Sequence, residues 1–534
     1  MTDLIIPSLL PEAERREYER IQRLKRPWTP VPQPPVKSNI KFGPKAVAKP
    51  PIKKTVLKIG PKAEFVWSGD YQDSFQLLNG DESDGISAQM PGPLGRDREL
   101  VVGLDFGTSC VKVVVGDRGA SKAYAVPFLD ALGVSAYLLP SRVFEQDGIF
   151  SLLIGADVHR DLKLRFLAKP TSSELQETLV GFLALVIRRC RGWLFTAHAE
   201  TFAHRNILWK LVLGRAVDRV KNDQVGRLMA DLLNAAWRVA GSVGDVSRAV
   251  CHLELERCQA GQGAEADMPE ISVVPELAAQ IYGFVKSRQF DPRAKNIYLI
   301  VDVGAGTVDV SLFRVKPNEF GTCDFSLFTS IVEPNGAINL HRRRLGWWRQ
   351  QLSKMPEAPC SGLLRAIDNI AMPTEQTQPI PTTYLGYFQG VDAQYFGGAL
   401  SPDDEFYANQ FVAQVRGRGI HRTVQSRNVG RVDLDQLPFF LSGGGARLPL
   451  YKKIASALDQ APEFKWLKAH RRELGIPGEL EAPGLAQVDY DRLSVAFGLS
   501  FVDVGTVAVA QAMPKLEQSF KVDWRSGYTG KDVC

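Results

Sequence analysis

The chain has 534 residues, of which 45% are hydrophobic and 23% charged, and its formal net charge is +6. These values are typical of a soluble globular protein with more than one domain-sized unit, and the small net charge does not by itself indicate a nucleic-acid-binding protein. No apolar run reaches the ~20 residues of a membrane span, and no secretory signal is visible, so we expect no membrane association. Seven dispersed cysteines favour a reducing compartment over a disulfide framework, and we therefore predict a cytoplasmic protein.

Residues 1–98 are predicted to form a largely disordered amino-terminal extension. They carry 16 Lys/Arg against 12 Asp/Glu, so +4 of the net charge of +6 lies there. Residues 37–62 contain eight lysines and no acidic residue, whereas residues 64–98 are acidic and glycine-rich. Because prolines and unbalanced charge oppose a packed core, we interpret the segment as a tether. It can contact a protein partner by charge. Nucleic acid is an alternative that nothing else in the sequence supports, and a solvated linker is the simplest interpretation.

The folded body is predicted to begin near residue 99 with a β-hairpin. An apolar run ends at Asp105, a turn contains Gly107, Thr108 and Ser109, and a β-branched run returns to residue 115. A buried strand, a glycine-bearing turn and a second strand make a hairpin.

Residues 297–315 repeat this pattern. A second apolar run leads to Asp302, and a second β-rich run follows the turn. The turn consists of Gly304, Ala305, Gly306 and Thr307. Glycine lets the backbone approach a ligand, and the N–H groups of such a turn suit a phosphate. The two aspartates are 197 residues apart (302 minus 105). The repeat predicts an internally duplicated fold, with a phosphate chain and a divalent cation between the hairpins. The chain contains no GxxxxGK[ST] motif, so it is not a P-loop protein.

Between the hairpins we predict strands at 136–143 and 152–154 and helices at 172–193 and 223–240. Pro275 then leads into a helix whose first turn carries Glu276, where the helix dipole favours a carboxylate. Small residues at 278, 279 and 283 allow another helix to approach closely.

The remainder of the chain is predicted to be mixed. Residues 341–349 combine arginines with tryptophans and are interpreted as a partner-binding cluster or a solvated loop. Residues 355–405 are predicted to be loop-rich, with a helix near 404–415. A later strand leads into a glycine turn and then a helix rich in small residues at 490–502. That turn contains Gly443, Gly444, Gly445 and Arg447, and the arginine can stack on a base or pair with a phosphate.

Five short segments stand in a fixed order: DFGTS, VPELAAQIYG, DVGAGTVDVSLF, SGGGARLP and SVAFGLSF. This series resembles the actin, sugar-kinase and heat-shock-chaperone ATPase superfamily. It is most similar to the nucleotide-binding domain of the seventy-kilodalton (DnaK-type) heat-shock chaperones. The resemblance implies an α/β, two-lobed actin-like fold of duplicated ribonuclease-H-like domains. Lobe I would span 99–285, lobe II 286–505 and a tail 506–534.

The resemblance also implies the roles of the site residues. ATP or ADP with Mg²⁺ would lie in the cleft, where Asp105 and Asp302 would hold the metal and its waters. Glu276 would position the attacking water or a magnesium ligand. The residues that would contact phosphates are Gly107, Thr108, Ser109, Gly304, Ala305, Gly306 and Thr307. Those that would bind the nucleoside are Gly443, Gly444, Gly445 and Arg447.

The sequence departs from the family pattern at several points, of which two bear directly on function. The catalytic lysine has no clear counterpart, and Lys163 and Lys169 are the candidates. About 30 residues follow the last helix, which is too short for the chaperone's substrate-binding domain, so we do not expect an ordinary peptide-binding chaperone.

We therefore predict a Mg-dependent ATPase that hydrolyses ATP slowly and acts as a chaperone-like conformational switch on a protein partner. That partner would bind the basic tail or a lobe surface. An actin-like filament or a nucleotide-holding scaffold with little hydrolysis is the alternative, and a small-molecule kinase is a third hypothesis. The sequence predicts no particular oligomeric state.

Overall fold

The structure is a computed structural model with a mixed α/β architecture. It describes residues 53–67, 76–78, 82–93, 95–215, 224–262, 268–319, 323–355, 358–368, 380–426, 429–501 and 507–509. The predictions for residues 1–52 and for the tail from 510 onward lie outside the described residues. Among the helices that are described, none has both the length and the apolar character that crossing a membrane requires.

The described part of the chain contains eighteen strands. They are β1 (Lys54–Phe65), β2 (Asp97–Phe106), β3 (Cys110–Asp117), β4 (Lys122–Ala125), β5 (Leu139–Pro140), β6 (Val143–Gln146), β7 (Ile149–Ser151), β8 (Asp157–His159), β9 (Asn206–Arg215), β10 (Glu270–Pro275), β11 (Ile297–Val303), β12 (Val308–Pro317), β13 (Cys323–Glu333), β14 (Phe388–Phe396), β15 (Pro438–Ser442), β16 (His470–Arg472), β17 (Leu480–Glu481) and β18 (Val507–Val509).

The same residues contain thirteen α-helices. They are α1 (Leu162–Ala168), α2 (Ser173–Ala197), α3 (Ala199–Phe202), α4 (Gln224–Gly241), α5 (Arg248–Gln259), α6 (Glu276–Lys286), α7 (Ala337–Leu352), α8 (Ala358–Asp368), α9 (Pro402–Phe406), α10 (Arg422–Gln425), α11 (Pro449–Lys452), α12 (Ile454–Ala457) and α13 (Ser494–Phe501). A π-helix, Tyr407–His421, joins α9 to α10, and a 3-10 helix, Gln487–Arg492, precedes α13.

Two large sheets share one strand order. In the first, β2, β3 and β4 are antiparallel neighbours, β9 runs parallel to β2, and β10 runs parallel to β9. In the second, β11, β12 and β13 are antiparallel neighbours, β15 runs parallel to β11, and β16 runs parallel to β15. Each sheet gains a short parallel edge strand, β17 on β4 and β18 on β13.

Both predicted hairpins are formed. The first pairs Asp105 with Lys112, and the second pairs Asp302 with Asp309. Their strands are almost wholly buried because helices cover both faces of each sheet, which explains why their sequences are nearly continuous apolar runs.

Helices α6 and α13 lie between the two sheets. One hydrophobic cluster joins Val114 of the first sheet to Ile300 of the second through Ile281 of α6 and Phe497 of α13. The predicted close helix approach is present, since a Cβ placed on Gly498 would lie 1.9 Å from the carbonyl oxygen of Ala279. Glu276 opens α6 directly after β10, as the sequence indicated.

The helices predicted at 172–193 and 223–240 correspond to α2 and α4, but several other local predictions were wrong. Residues 136–143 and 152–154 contain little strand. Residues 355–405, predicted to be loop-rich, include α8 and β14. Residues 341–349 are not a loop but part of α7, in which Arg343 is exposed. Its buried Trp348 and Leu345 line one face, and Arg344 is wholly buried against Asp403.

The strand β1 lies within the segment that we expected to be a tether. It pairs antiparallel with β14, and its register shifts between Ile59 and Glu64, around Pro61. The shift accommodates a proline, which cannot donate to a strand ladder. Leu57, Ile59 and Phe65 pack into an aromatic cluster with Trp67 and Trp348, so alternating apolar residues outweigh the lysines between them.

The α6–α13 crossing gives a test of the fold. Gly498→Ala should cost about 1–3 kcal/mol of unfolding free energy, because the added methyl group meets the backbone of Ala279. Gly346→Ala is the matched control. Gly346 is also helical but exposed, with nothing within 4 Å of an added Cβ, so alanine should stabilise the protein by up to ~1 kcal/mol. Denaturant titration checks both changes, and equal stability of the two variants would contradict the packing.

Candidate functional site

The turns of the two hairpins face each other. A Cβ placed on Gly306 of the second turn would lie 3.5 Å from both Cγ2 and Oγ1 of Thr108 in the first. The fold therefore brings together two glycine turns that are far apart in the sequence.

The first turn is held by its own hairpin and by a lysine. The N–H of Gly107 donates to the carbonyl of Cys110 at 3.2 Å, and the Ser141 hydroxyl donates to the carbonyl of Gly107 at 2.8 Å. Lys112 donates from Nζ to Oδ2 of Asp105 at 2.9 Å, and both side chains are almost completely buried. Burial opposes the charge of Lys112, yet Asp105 raises the pKa of its ammonium group above the usual value.

The second turn is anchored through its carbonyl groups. The backbone N–H groups of Ala337 and Ile338, at the start of α7, donate to the carbonyls of Gly304 and Ala305 at 3.0 and 2.9 Å. The Asn339 amide donates to the carbonyl of Gly306 at 2.6 Å. The N–H groups of Ala305 and Gly306 donate to no group among the described residues. The turn thus presents free backbone donors, as an anion site requires.

Two carboxylates beside the turn have no ion pair within the described residues. Asp302 and Asp309 are opposite each other in the hairpin, and Oδ1 of each is buried without a hydrogen-bond partner. The pKa of Asp302 is raised to about 6 and that of Asp309 to about 7. Burial is the main cause, and the negative charge of Glu276 is the second. The negative charge of these two carboxylates is therefore only partly compensated by the neighbouring residues.

The negative charge of Glu276 is compensated by Lys163. Nζ of Lys163, in α1, donates to Oε1 of Glu276 at 3.1 Å. Burial opposes the charge of Lys163, but Glu276 and Asp105 raise the pKa of its ammonium group. Of the two candidate lysines, the structure brings Lys163 to the site, whereas Lys169 is exposed beyond the end of α1.

A small polar cavity adjoins these carboxylates. Its volume is about 20 Å³, which is enough for a single water. Its lining residues are Glu276, Leu277, Gln280, Ile300, Asp302, Asp309, Ser311 and Ser330. The space is suited to water next to the acidic groups.

The glycine loop after β15 closes another side of the site. Gly443 has a φ of +87°, and a Cβ there would lie 2.2 Å from Oδ1 of Asp302, so only glycine fits. Arg447 does not point freely to a ligand. It donates to Asp489 at 2.9 Å and to Asp491 at 2.7 Å, and those carboxylates raise its pKa although burial opposes its charge.

The structure therefore brings together Asp105, Glu276, Asp302 and both turns, and it places 443–445 beside them. The sequence interpretation did not single out Lys112, Asp309 or Arg492. The first two could have been found, because hairpin pairing puts Lys112 opposite Asp105 and Asp309 opposite Asp302.

The residues present fit a divalent cation. Within the described chain no three His, Cys, Asp or Glu side chains form a cluster with metal-binding geometry. Mg²⁺, however, usually takes one or two protein carboxylates and completes its shell with waters and phosphate oxygens. The unpartnered Oδ1 atoms of Asp302 and Asp309 are donors of the kind that it prefers.

Compared with protein-family models and with curated proteins, the chain gives no significant match. The assignment of a function depends on the sequence motifs and the geometry of this site.

The raised pKa values predict a pH-dependent effect of Asp309→Asn on the ligand-free protein. The folded state binds the Asp309 proton more tightly than the unfolded state does. The carboxyl therefore costs stability as pH rises from about 4 to about 7, and that cost is complete above pH 7. Asparagine carries no charge, so the variant should be more stable than the wild type at pH 8, on the order of 2–4 kcal/mol. The difference should disappear near pH 4.

Urea unfolding at pH 4, 6 and 8 without nucleotide measures this effect. Asp459→Asn, at an exposed position, is the matched control and should change stability little at any pH. A pH-independent effect of Asp309→Asn would show that charge is not its cause.

Proposed function

We propose that the protein is a Mg-dependent ATPase with a two-lobed actin-like fold, similar to the nucleotide-binding domain of DnaK-type chaperones, and that it acts as a conformational switch on a protein partner. The observation that carries the proposal is the pair of facing glycine turns with carboxylates at their base. Gly306 and Thr108 come from different halves of the chain and meet at one point. A phosphate chain is the ligand that such paired turns suit.

The topology supports the same proposal. Each large sheet has three antiparallel strands followed by two parallel ones, and each contributes its first hairpin to the site. A duplicated ribonuclease-H-like fold would give this arrangement, with α6 and α13 between the halves.

The chain's own residues can perform phosphoryl transfer to water largely by positioning and charge. The free N–H groups of Ala305 and Gly306 would hold a terminal phosphate, and Lys112 would lie beside the phosphates at the first turn. Asp302 would hold the metal through its waters, and Mg²⁺ would neutralise phosphate charge. Glu276, oriented by Lys163, would hold the attacking water and accept its proton.

A route from the site to a partner surface runs through α7. The first turn of α7 binds the carbonyls of 304–306, and its His341 lies under Trp67, with ring centroids 4.5 Å apart. Nδ1 of His341 is 2.6 Å from the Tyr387 hydroxyl, which precedes β14. A shift of the phosphate turn would therefore move the β1–β14 ribbon, which we propose as the output surface.

Substitutions at the two candidate lysines test the enzymatic part of the proposal. Lys163→Met should reduce ATP hydrolysis at least ~100-fold, because Glu276 loses its orienting partner. Lys169→Met, at an exposed lysine six residues from the first along the chain, should leave the rate within about twofold. Asp302→Ala should also abolish turnover. Steady-state phosphate release measures all three, and wild-type rates in both Lys163→Met and Asp302→Ala would reject the ATPase.

Hydrogen–deuterium exchange tests the proposed output. Saturating ATP and Mg²⁺ should slow amide exchange in β1 because the bound phosphate fixes the turn to which α7 is attached. Exchange in the middle of α4, which packs on the other face of the first sheet, is the internal control and should not change. Trp67→Ala should remove the response of β1 without removing nucleotide binding. Unchanged exchange in wild-type β1 despite bound nucleotide would reject this route.

A further inference from the structure

Arg492 is placed between the glycine loop and the first hairpin turn. It ends the 3-10 helix before α13. A Cβ on Gly444 would lie 2.8 Å from Nη1 and 3.1 Å from Cζ of its guanidinium group. On the other side, Nη2 donates to Sγ of Cys110 at 3.4 Å. The guanidinium thus touches parts of both halves that surround the proposed phosphate site.

The two arginines of this region differ in their partners. Arg447 is bound by two aspartates and by backbone carbonyls. Arg492 forms no ion pair with a carboxylate among the described residues, and its hydrogen-bond acceptor is a thiol, which is weak. A half-buried guanidinium group that has only this partner retains most of its donors for a ligand.

Lys112 is a second cation of the site that lies near Arg492. Its Nζ would be 3.2 Å from a Cβ on Gly107, so it lies at the turn itself. Arg492 is close enough for its charge to oppose that of Lys112. Two like charges at one turn repel each other unless an anion lies between them, and Asp105 is engaged with the lysine alone.

We propose that Arg492 recognises a phosphate of the bound nucleotide together with Lys112, and that this pair selects nucleoside di- and triphosphates over nucleosides. This inference rests on the proposed nucleotide site. Arginine suits the role because its planar fork can donate two parallel hydrogen bonds to phosphate oxygens. Gly444 leaves room for the guanidinium group of Arg492 because it has no side chain. Arg447 would hold the loop in place and would not touch phosphate.

The experiment compares four ligands on the full chain: ATP, ADP, adenosine and pyrophosphate, all with Mg²⁺, by isothermal titration calorimetry. Arg492→Ala should weaken ADP, ATP and pyrophosphate about 10- to 100-fold, which corresponds to the loss of a charge-assisted hydrogen bond. Adenosine affinity should stay within about twofold. Arg492→Lys should recover part of the loss, since a point charge replaces the fork.

Cys110→Ala separates ligand binding from a structural role. If Arg492 only fastened the loop to the first hairpin, removing its thiol acceptor would reproduce the Arg492→Ala effect. We expect the cysteine variant to bind ADP with wild-type affinity, and a matching loss in both variants would overturn the inference.

The remaining outcomes separate phosphate recognition by Arg492 from nucleotide binding as such. If Arg492→Ala binds ADP as tightly as the wild type does, this inference is overturned and the proposed nucleotide site stands. Equal losses for adenosine and ADP overturn it too, because they show a disturbed loop. A wild-type protein that binds neither ADP nor pyrophosphate overturns both the inference and the proposed function.

Discussion

Four carboxylates and two lysines meet between the hairpins, and this uneven balance of charge governs the rest of the site. Lys112 pairs with Asp105, and Lys163 pairs with Glu276. Asp302 and Asp309 are left with buried oxygens that have no hydrogen-bond partner. Buried carboxylates of this kind are costly unless a proton or a cation offsets them. The fold tolerates the cost because two large cores, one on each sheet, hold the hairpins in place.

The same constraint explains where glycine is required. Gly443 passes Asp302 so closely that any side chain would displace the carboxylate. Gly336 passes the turn at Ala305 and Gly306 equally closely, with a hypothetical Cβ 2.5 Å from the Ala305 carbonyl oxygen. The carbonyl groups of the turn are engaged by the start of α7, and the N–H groups of Ala305 and Gly306 have no acceptor among the described residues. The way in which the turn is anchored therefore leaves backbone donors of the kind that an anion site requires.

Local patterns predicted the parts of the fold that depend on neighbouring residues. The two hairpins, the helix that begins at Glu276 and the small-residue contact at Ala279 all follow from apolar runs, glycines and a helix start that can be read directly. The pattern failed where distant partners decide the structure. Arg344 resembles a surface residue until Asp403 is placed beside it, and the lysines of β1 conceal a strand that needs β14 to form. Arg447 shows the same limit within the site, because Asp489 and Asp491 occupy a guanidinium group that sequence alone would leave for a ligand.

Coupling between the site and the remainder of the molecule follows from which elements share each contact. The turn of the second hairpin is bonded to α7, and α7 packs against the ribbon of β1 and β14. On the other side, Gln280 of α6 donates to the hydroxyl of Ser442 at 2.8 Å, so the helix between the sheets is bonded to the strand that leads into the glycine loop. A ligand that bridges the two turns would pull on both connections at once. Such a ligand shifts the equilibrium between two arrangements of the halves only if it binds one arrangement more tightly than the other. In the proposed nucleotide site that difference would arise because the donors come from both sheets, and a ligand held by one turn alone would lose the contacts of the other.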